Sequence, residues 1–307
     1  MNQNSNFRIG IDLGGTKIEA AVLDVRGAIV HRERIGAPRG DYAATLAAVN
    51  DLVTRAEAAC GALSRVGVSL PGAISPATGL VKNANSTWLN GHPFDRDLAV
   101  RLSRPVRVAN DANCFALSEA VDGAAAGGGL VFGVIVGTGC GGGLVLDGKV
   151  WTGPHAIAGE WGHNPLPWPR DDERPGPACY CGKRGCIETF LSGPGLASDH
   201  LAATGESIDA SAIARAAAAS DPRAEATLAR YADRFARALA TVINLIDPTV
   251  VVLGGGLSNI GTLPLRVSAA LPSYVFSDRI DTPIRPPSHG DSSGVRGAAW
   301  LWPVDAS

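Results

Sequence analysis

The sequence predicts an α/β fold made of two similar halves, each opening with a β-hairpin whose turn is rich in glycine. Two observations carry that expectation. A hairpin pattern occurs twice, as RIGIDLGGTKIEAAVLD at 8–24 and FGVIVGTGCGGGLVLD at 132–147. At one constant offset Gly10 falls on Gly133, Gly14 on Gly137 and Asp24 on Asp147, while the turn threonines, Thr16 and Thr138, miss that register by one place. Helical and strand patterns also alternate along the rest of the chain, which argues for mixed sheets with helices packed on them.

Element by element, Arg8 to Asp12 reads as a strand, Gly14-Gly15-Thr16 as a turn and Lys17 to Leu23 as the return strand. Residues 41–60 read as a helix, and Val66 to Leu70 as a strand stopped by Pro71-Gly72. Residues 73–94 read as a polar, turn-rich loop, long enough to suggest function. Val106 to Val108 is a short strand leading into Asn110-Asp111, with a helix from Asn113. An Ala-rich helical pattern runs from about Ser211 to Asn244, broken at Asp221-Pro222. Thr249 to Leu253 is a buried strand ending in Gly254-Gly255-Gly256, and SGVRGAAWLWP is a short helix stopping near Pro303. The boundary between halves is expected near residue 112, giving domains 1–112 and 113–293, with 294–307 completing the first.

Composition narrows the function. Of 307 residues, 46% are hydrophobic and 18% charged, a globular balance. The net charge of −2 gives no electrostatic case for nucleic acid or an anionic membrane as partner. There is no signal-peptide pattern and no apolar run long enough to span a bilayer, so the expected location is the cytoplasm. Disulfides are rare there, so three cysteines crowded together point to metal.

Glycine in the two turns lets backbone N–H groups approach an anion, so the pair is expected to grip one polyphosphate. Thr16 and Thr138 can add hydroxyl donors and Lys17 a positive charge. Asp12 has Ile135 as its counterpart in the second half, and a single carboxylate beside phosphates suits Mg²⁺. Neither turn is a Walker A sequence or a GxGxxG fingerprint. The segment EWGHNPLPWPRDDERPGPACYCGKRGCIE holds His163, Cys179, Cys181 and Cys186, a complete tetrahedral set for zinc. Glu160 and Glu188 flank it; carboxylates beside an imidazole suit a polyol, whose hydroxyls both donate and accept. Asp111, at a strand-to-helix junction, is either an N-cap or a general base for a hydroxyl attacking the γ-phosphate. Beside two phosphate turns the base is favoured. Cys60 and Cys114 read as small core residues, and His31, His92, His155, His200 and His289 as surface or locally bonded.

DLGGTK at 12–17, NDAN at 110–113, EWGH at 160–163 and CYCGKRGCIE at 179–188 resemble the motifs of the ROK group of bacterial sugar kinases. That resemblance implies a two-domain actin-like (ribonuclease H-like, hexokinase-type) ATPase fold with duplicated β-hairpin phosphate loops. It implies Asp111 as catalytic base; Asn85, Asn110, Glu160, His163 and Glu188 as sugar ligands; and a structural zinc on His163, Cys179, Cys181 and Cys186. ATP with Mg²⁺ would be held by Gly10, Asp12, Gly14, Gly15, Thr16 and Lys17, by Gly137, Thr138, Gly139, Cys140 and Gly141, and by Gly254, Gly255 and Gly256 on the adenosine side. A homodimer is implied as well. KNANSTWLNG at 82–91, EWGHNPLPW at 160–168 and HGDSSGVRGAAWLWP at 289–303 are most similar to the fructokinase (manno(fructo)kinase) branch. Glucokinase and N-acetylhexosamine kinase are the alternatives within the group. Sugar-responsive repressors of the group carry a DNA-binding head, for which no room is expected before Arg8; a non-catalytic sugar sensor is the remaining alternative.

Overall fold

The computed structural model describes residues 7–303. Its strands are β1 (Arg8–Leu13), β2 (Lys17–Leu23), β3 (Ile29–Gly36), β4 (Arg65–Leu70), β5 (Ala73–Ile74), β6 (Val81–Lys82), β7 (Val106–Asn110), β8 (Leu130–Val136), β9 (Cys140–Leu146), β10 (Lys149–Val150), β11 (Val250–Gly254) and β12 (Ile284–Arg285). Its α-helices are α1 (Tyr42–Cys60), α2 (Phe94–Leu102), α3 (Asp111–Val121), α4 (Ile187–Leu191), α5 (Gly193–Thr204), α6 (Ala210–Ala218), α7 (Pro222–Ile246), α8 (Leu263–Ala270) and α9 (Ser293–Trp300).

The two five-stranded sheets have the same plan. The first runs β3-β2-β1-β4-β7 and the second β10-β9-β8-β11-β12. In each, the hairpin strands are antiparallel and the fourth and fifth strands join in parallel. The duplication read from the sequence is thus a duplication of topology, and both glycine-rich turns emerge at equivalent places. Several elements lay outside the sequence expectations. In β3 half-buried and exposed residues alternate, and from it Arg32 and Arg34 clamp the buried Glu19 of β2. The expected loop at 73–94 contains the β5–β6 hairpin, and α2 begins at its end.

Caps explain the helix limits. Asp41 caps α1 through Ala44 N, and Asp221 caps α7 with Pro222 in its first turn. The same Asp221-Pro222 pair separates α6 from α7, as expected. His200 departs from expectation: it is 1% exposed, with Nδ1 3.0 Å from the Thr227 hydroxyl.

Helices α3 and α9 pack on each other; α9 lies on the first sheet and α3 on the second. Their approach is backbone to backbone. A Cβ on Gly297 would lie 1.7 Å from Cys114 O, and one on Gly10 would lie 1.8 Å from Val295 O. Buried Glu119 of α3 accepts from Ser288 N, His289 N and the Ser293 hydroxyl, while Asp122 meets His289, Arg296 and Trp300. The C-terminal motif HGDSSGVRGAAWLWP is therefore the seam between halves. Of the expected C-terminal segment, 304–307 lie outside the described residues. Among the described residues no helix is long and apolar enough to cross a membrane.

Candidate active site

Asp111 begins α3 directly after β7, where the two halves meet. Capping falls to its neighbour. The Asn110 side chain accepts from Ala112 N at 2.9 Å and donates to Gly72 O at 3.2 Å. Asp111 Oδ1 also accepts from Ala112 N, at 2.8 Å. The helix N-cap is thus Asn110 and not Asp111. Asp111 is solvent-accessible, yet protein encloses its other sides. That lost solvation, reinforced by the charges of Asp12 and Glu160, pushes its pKa up to about 6. The three carboxylates therefore share one electrostatic neighbourhood. Burial also raises the Asp12 carboxyl, against the opposing hydrogen bond from Ser69.

The first turn is closed by Gly14 N donating to Lys17 O at 3.0 Å, leaving Thr16 and Lys17 exposed. The Arg39 guanidinium donates to Gly15 O at 3.0 Å, a partner the sequence did not indicate. In the second turn Gly137 N donates to Gly139 O at 2.9 Å, and Thr138 is exposed. Gly256 N lies 3.7 Å from where a Gly137 Cβ would stand, so the glycine cluster after β11 faces this turn. Gly255, at φ 80°, requires glycine, since a Cβ would lie 2.4 Å from Val136 O. Gly10 and Gly254 are placed otherwise. Gly10 is mid-strand against α9, and a Cβ on Gly254 would lie 2.5 Å from the Phe115 ring, so both are glycine for packing.

Glu160 precedes a 3-10 turn, Trp161–His163, which keeps it and His163 on one short segment. The ligand atoms of His163, Cys179, Cys181 and Cys186 all lie within 4.8 Å of one another. Cys179 Sγ is 3.7 Å from His163 Nδ1, and Cys181 Sγ is 3.6 Å from Cys186 Sγ. Zinc–sulfur bonds of about 2.3 Å give tetrahedral edges of about 3.8 Å, so these residues fit zinc. His163 faces the cluster through Nδ1, and its Nε2 lies 3.0 Å from the Tyr180 hydroxyl. The ring nitrogen expected to meet a ligand hydroxyl thus has a tyrosine partner. Asn85 is exposed on the loop before a 3-10 turn, beside buried Ser86.

The segment that carries the cysteine–histidine cluster is anchored from behind. Glu173, its side chain 3% exposed, accepts from Arg234 and Arg237 of α7 at 2.7–2.8 Å. Although burial opposes ionisation, these guanidinium bonds hold its pKa down at about 2. No local motif in the sequence marks this anchor. A cavity of about 320 Å³ lies between Ser75–Ala77 and Pro154–His155, bridged by Lys82 Nζ donating to His155 O at 2.8 Å. No candidate site residue lines it.

The family model described as the ROK family matches residues 8–304. The N-acetyl-D-glucosamine kinase of Salmonella heidelberg (strain SL476) is 39% identical over 300 residues, covering 96% of this chain and 99% of that one. The ROK hexokinase from Thermus thermophilus superposes with a TM-score of 0.82 at 32% identity, covering 96% of this chain and 97% of that one. A ROK family glucokinase from Streptomyces griseus, in complex with glucose and AMPPNP, gives 0.77 at 28% identity, covering 96% and 98%. With the duplicated turns, the neighbouring carboxylates and the cysteine–histidine knot in place, the chain belongs to the ROK family.

Proposed function

We propose that this ROK-family sugar kinase transfers the γ-phosphoryl group of ATP to the 6-hydroxyl of fructose, and accepts mannose as well. The observation that supports the chemistry is Asp111, relieved of capping by Asn110 and close enough to Asp12 and Glu160 to feel their charges. At neutral pH a carboxyl titrating near 6 is ionised yet basic enough to take a proton. The 6-hydroxyl gives its proton to Asp111, its oxygen bonds to the γ-phosphorus, and the bond to ADP breaks. The two turns and Lys17 orient the phosphates. Asp12 would hold Mg²⁺, which when bound neutralises phosphate charge. Glu160, Glu188 and Asn85 would bind sugar hydroxyls, His163 would join them by exchanging its Tyr180 partner for a hydroxyl, and Asn110 has one N–H left for the same purpose. The zinc ligands would hold the metal as a structural tie.

The preference for fructose rests on the resemblance of 82–91, 160–168 and 289–303 to the fructokinase branch. N-acetylglucosamine phosphorylation is the second reading, favoured by the 39% identity to kinases of that sugar. A coupled ADP-release assay over fructose, mannose, glucose, N-acetylglucosamine and N-acetylmannosamine separates them. The highest kcat/KM is expected for fructose; N-acetylglucosamine in first place would replace this reading with the second. Absence of turnover with every one of these sugars would remove both. Light scattering tests the homodimer that the resemblance implies.

A further inference from the structure

The second phosphate turn is held by the sugar side of the site. Glu188 Oε2 accepts from Cys140 N, the residue that closes the turn, at 2.9 Å. A Cβ on Gly139 would stand 2.7 Å from that oxygen, so the carboxylate lies directly on the turn. Five residues on, Gly193 N donates to Gly137 O at 2.6 Å, at the opposite end of the same turn. Segment 188–193, which begins two residues past the zinc-set residue Cys186, therefore brackets 137–140. Its partner segment presses from another side: Trp161 Nε1 donates to Gly141 O at 3.0 Å, and a Cβ on Gly162 would stand 2.0 Å from Cys140 O. The first turn has no such tie among the described residues. Its partners are Ala37 N and Arg39, from the connection between β3 and α1.

We propose that Glu188 is a positioning residue for the nucleotide as well as a sugar ligand, one carboxylate serving both substrates, so that sugar and ATP bind with positive coupling. The proposal rests on reading 137–139 as a phosphate site and Glu188 as facing the sugar. With Cys140 N tied to Glu188 and Gly137 N to Gly139 O, the Thr138 and Gly139 amides have no protein acceptor among the described residues and suit phosphate oxygens. A sugar hydroxyl donating to the other Glu188 oxygen fixes the carboxylate plane, and with it the turn. Coupling of this kind is reciprocal.

Calorimetric titration with Mg²⁺ and AMPPNP, with and without saturating fructose, tests this. In the wild-type protein fructose tightens nucleotide binding about fivefold or more, the lower range of measured couplings. Glu188→Ala weakens nucleotide binding about fivefold or more in the absence of any sugar, which a residue that met only sugar would not do. Glu188→Gln keeps an acceptor for Cys140 N, so sugar-free nucleotide affinity stays near wild type. It turns a donor toward the sugar, so the coupling is lost. If Glu188→Ala, with native circular dichroism and zinc content, keeps wild-type sugar-free affinity, the proposal fails while the kinase reading stands. Where that variant does not fold, a wild-type coupling ratio in Glu188→Gln overturns the proposal. Wild-type protein that binds no nucleotide overturns the kinase reading and this proposal together.

Discussion

Ser69 and Asp12 stand opposite each other across the parallel pair β1–β4, and the Ser69 hydroxyl donates to Asp12 Oδ1 at 2.8 Å. Ser69 is fully buried, so its hydroxyl has been withdrawn from water to serve that carboxylate. A hydrogen bond to a charged group contributes roughly 1.5–3 kcal/mol. Ser69→Ala is expected to lower the apparent Mg²⁺ affinity about tenfold in a rate titration at fixed ATP, with the sugar KM unchanged. An unaltered Mg²⁺ curve would remove Asp12 from the metal's vicinity.

Asp111→Asn should lower kcat by roughly 10²–10⁴, the usual range for a general base, with far smaller changes in sugar KM. The wild-type kcat profile should fall as pH drops through about 6, because protonation of Asp111 removes the base. Stability should move the opposite way. A carboxyl whose folded pKa is raised favours folding most below its unfolded value, and that contribution is lost as pH rises through about 6. The Asn variant is therefore expected to melt at the wild-type temperature or above at pH 7. A variant with near-normal kcat would end the assignment.

Metal analysis should find about one zinc per chain, lost in Cys186→Ser together with part of the thermal stability. Because Glu188 follows Cys186 by two residues and bonds Cys140 N, the damage should extend past the sugar KM to nucleotide affinity. Undiminished stability and zinc content in that variant would exclude the four-residue set.

Glu173→Gln removes the carboxylate that Arg234 and Arg237 share, leaving Arg234 with Asp199 and Arg237 with Asp233. Breaking a buried pair costs about 3–5 kcal/mol, and the remaining carboxylates keep this loss at the low end of that range, read as a lowered urea midpoint. In the wild type, a carboxyl held at about 2 contributes stability above its usual range and loses it as pH falls from about 4.5 toward 2. The variant's unfolding curve should be flatter across that window; parallel curves would show that Glu173 does not anchor the segment.

At the seam between halves, Gly297→Ala drives a methyl into the Cys114 carbonyl. Because the obstacle is backbone, α3 and α9 must separate, a strain of about 1–3 kcal/mol or more. A melting temperature within a degree of wild type would show that the seam is slack.

Much of this was legible because glycine, proline and cysteine act locally. The hairpin turns, the helix break at Asp221-Pro222 and the cysteine–histidine spacing all follow from short-range chemistry. What escaped depends on distant partners. Glu173 carries no local sign of burial, because its partners Arg234 and Arg237 come from α7. Gly10 and Gly254 look like ligand-binding glycines until α9 and Phe115 are brought against them. The roles of Asn110 and Asp111 separate only once the helix start is fixed, and the Glu188–Cys140 bond joins positions 48 apart.

The repeated strand order has one further consequence. Asp12 and its bonded neighbour Ser69 map onto Ile135 and its neighbour Gly254 in the other sheet. Where one copy sets a carboxylate and a hydroxyl, the other sets an aliphatic chain and a bare backbone. Two near-identical scaffolds would offer a bound polyphosphate no preferred direction. On the proposed kinase reading, the polarity kept in one copy alone gives the pair a direction, with the Mg²⁺-bearing end of the nucleotide at Asp12.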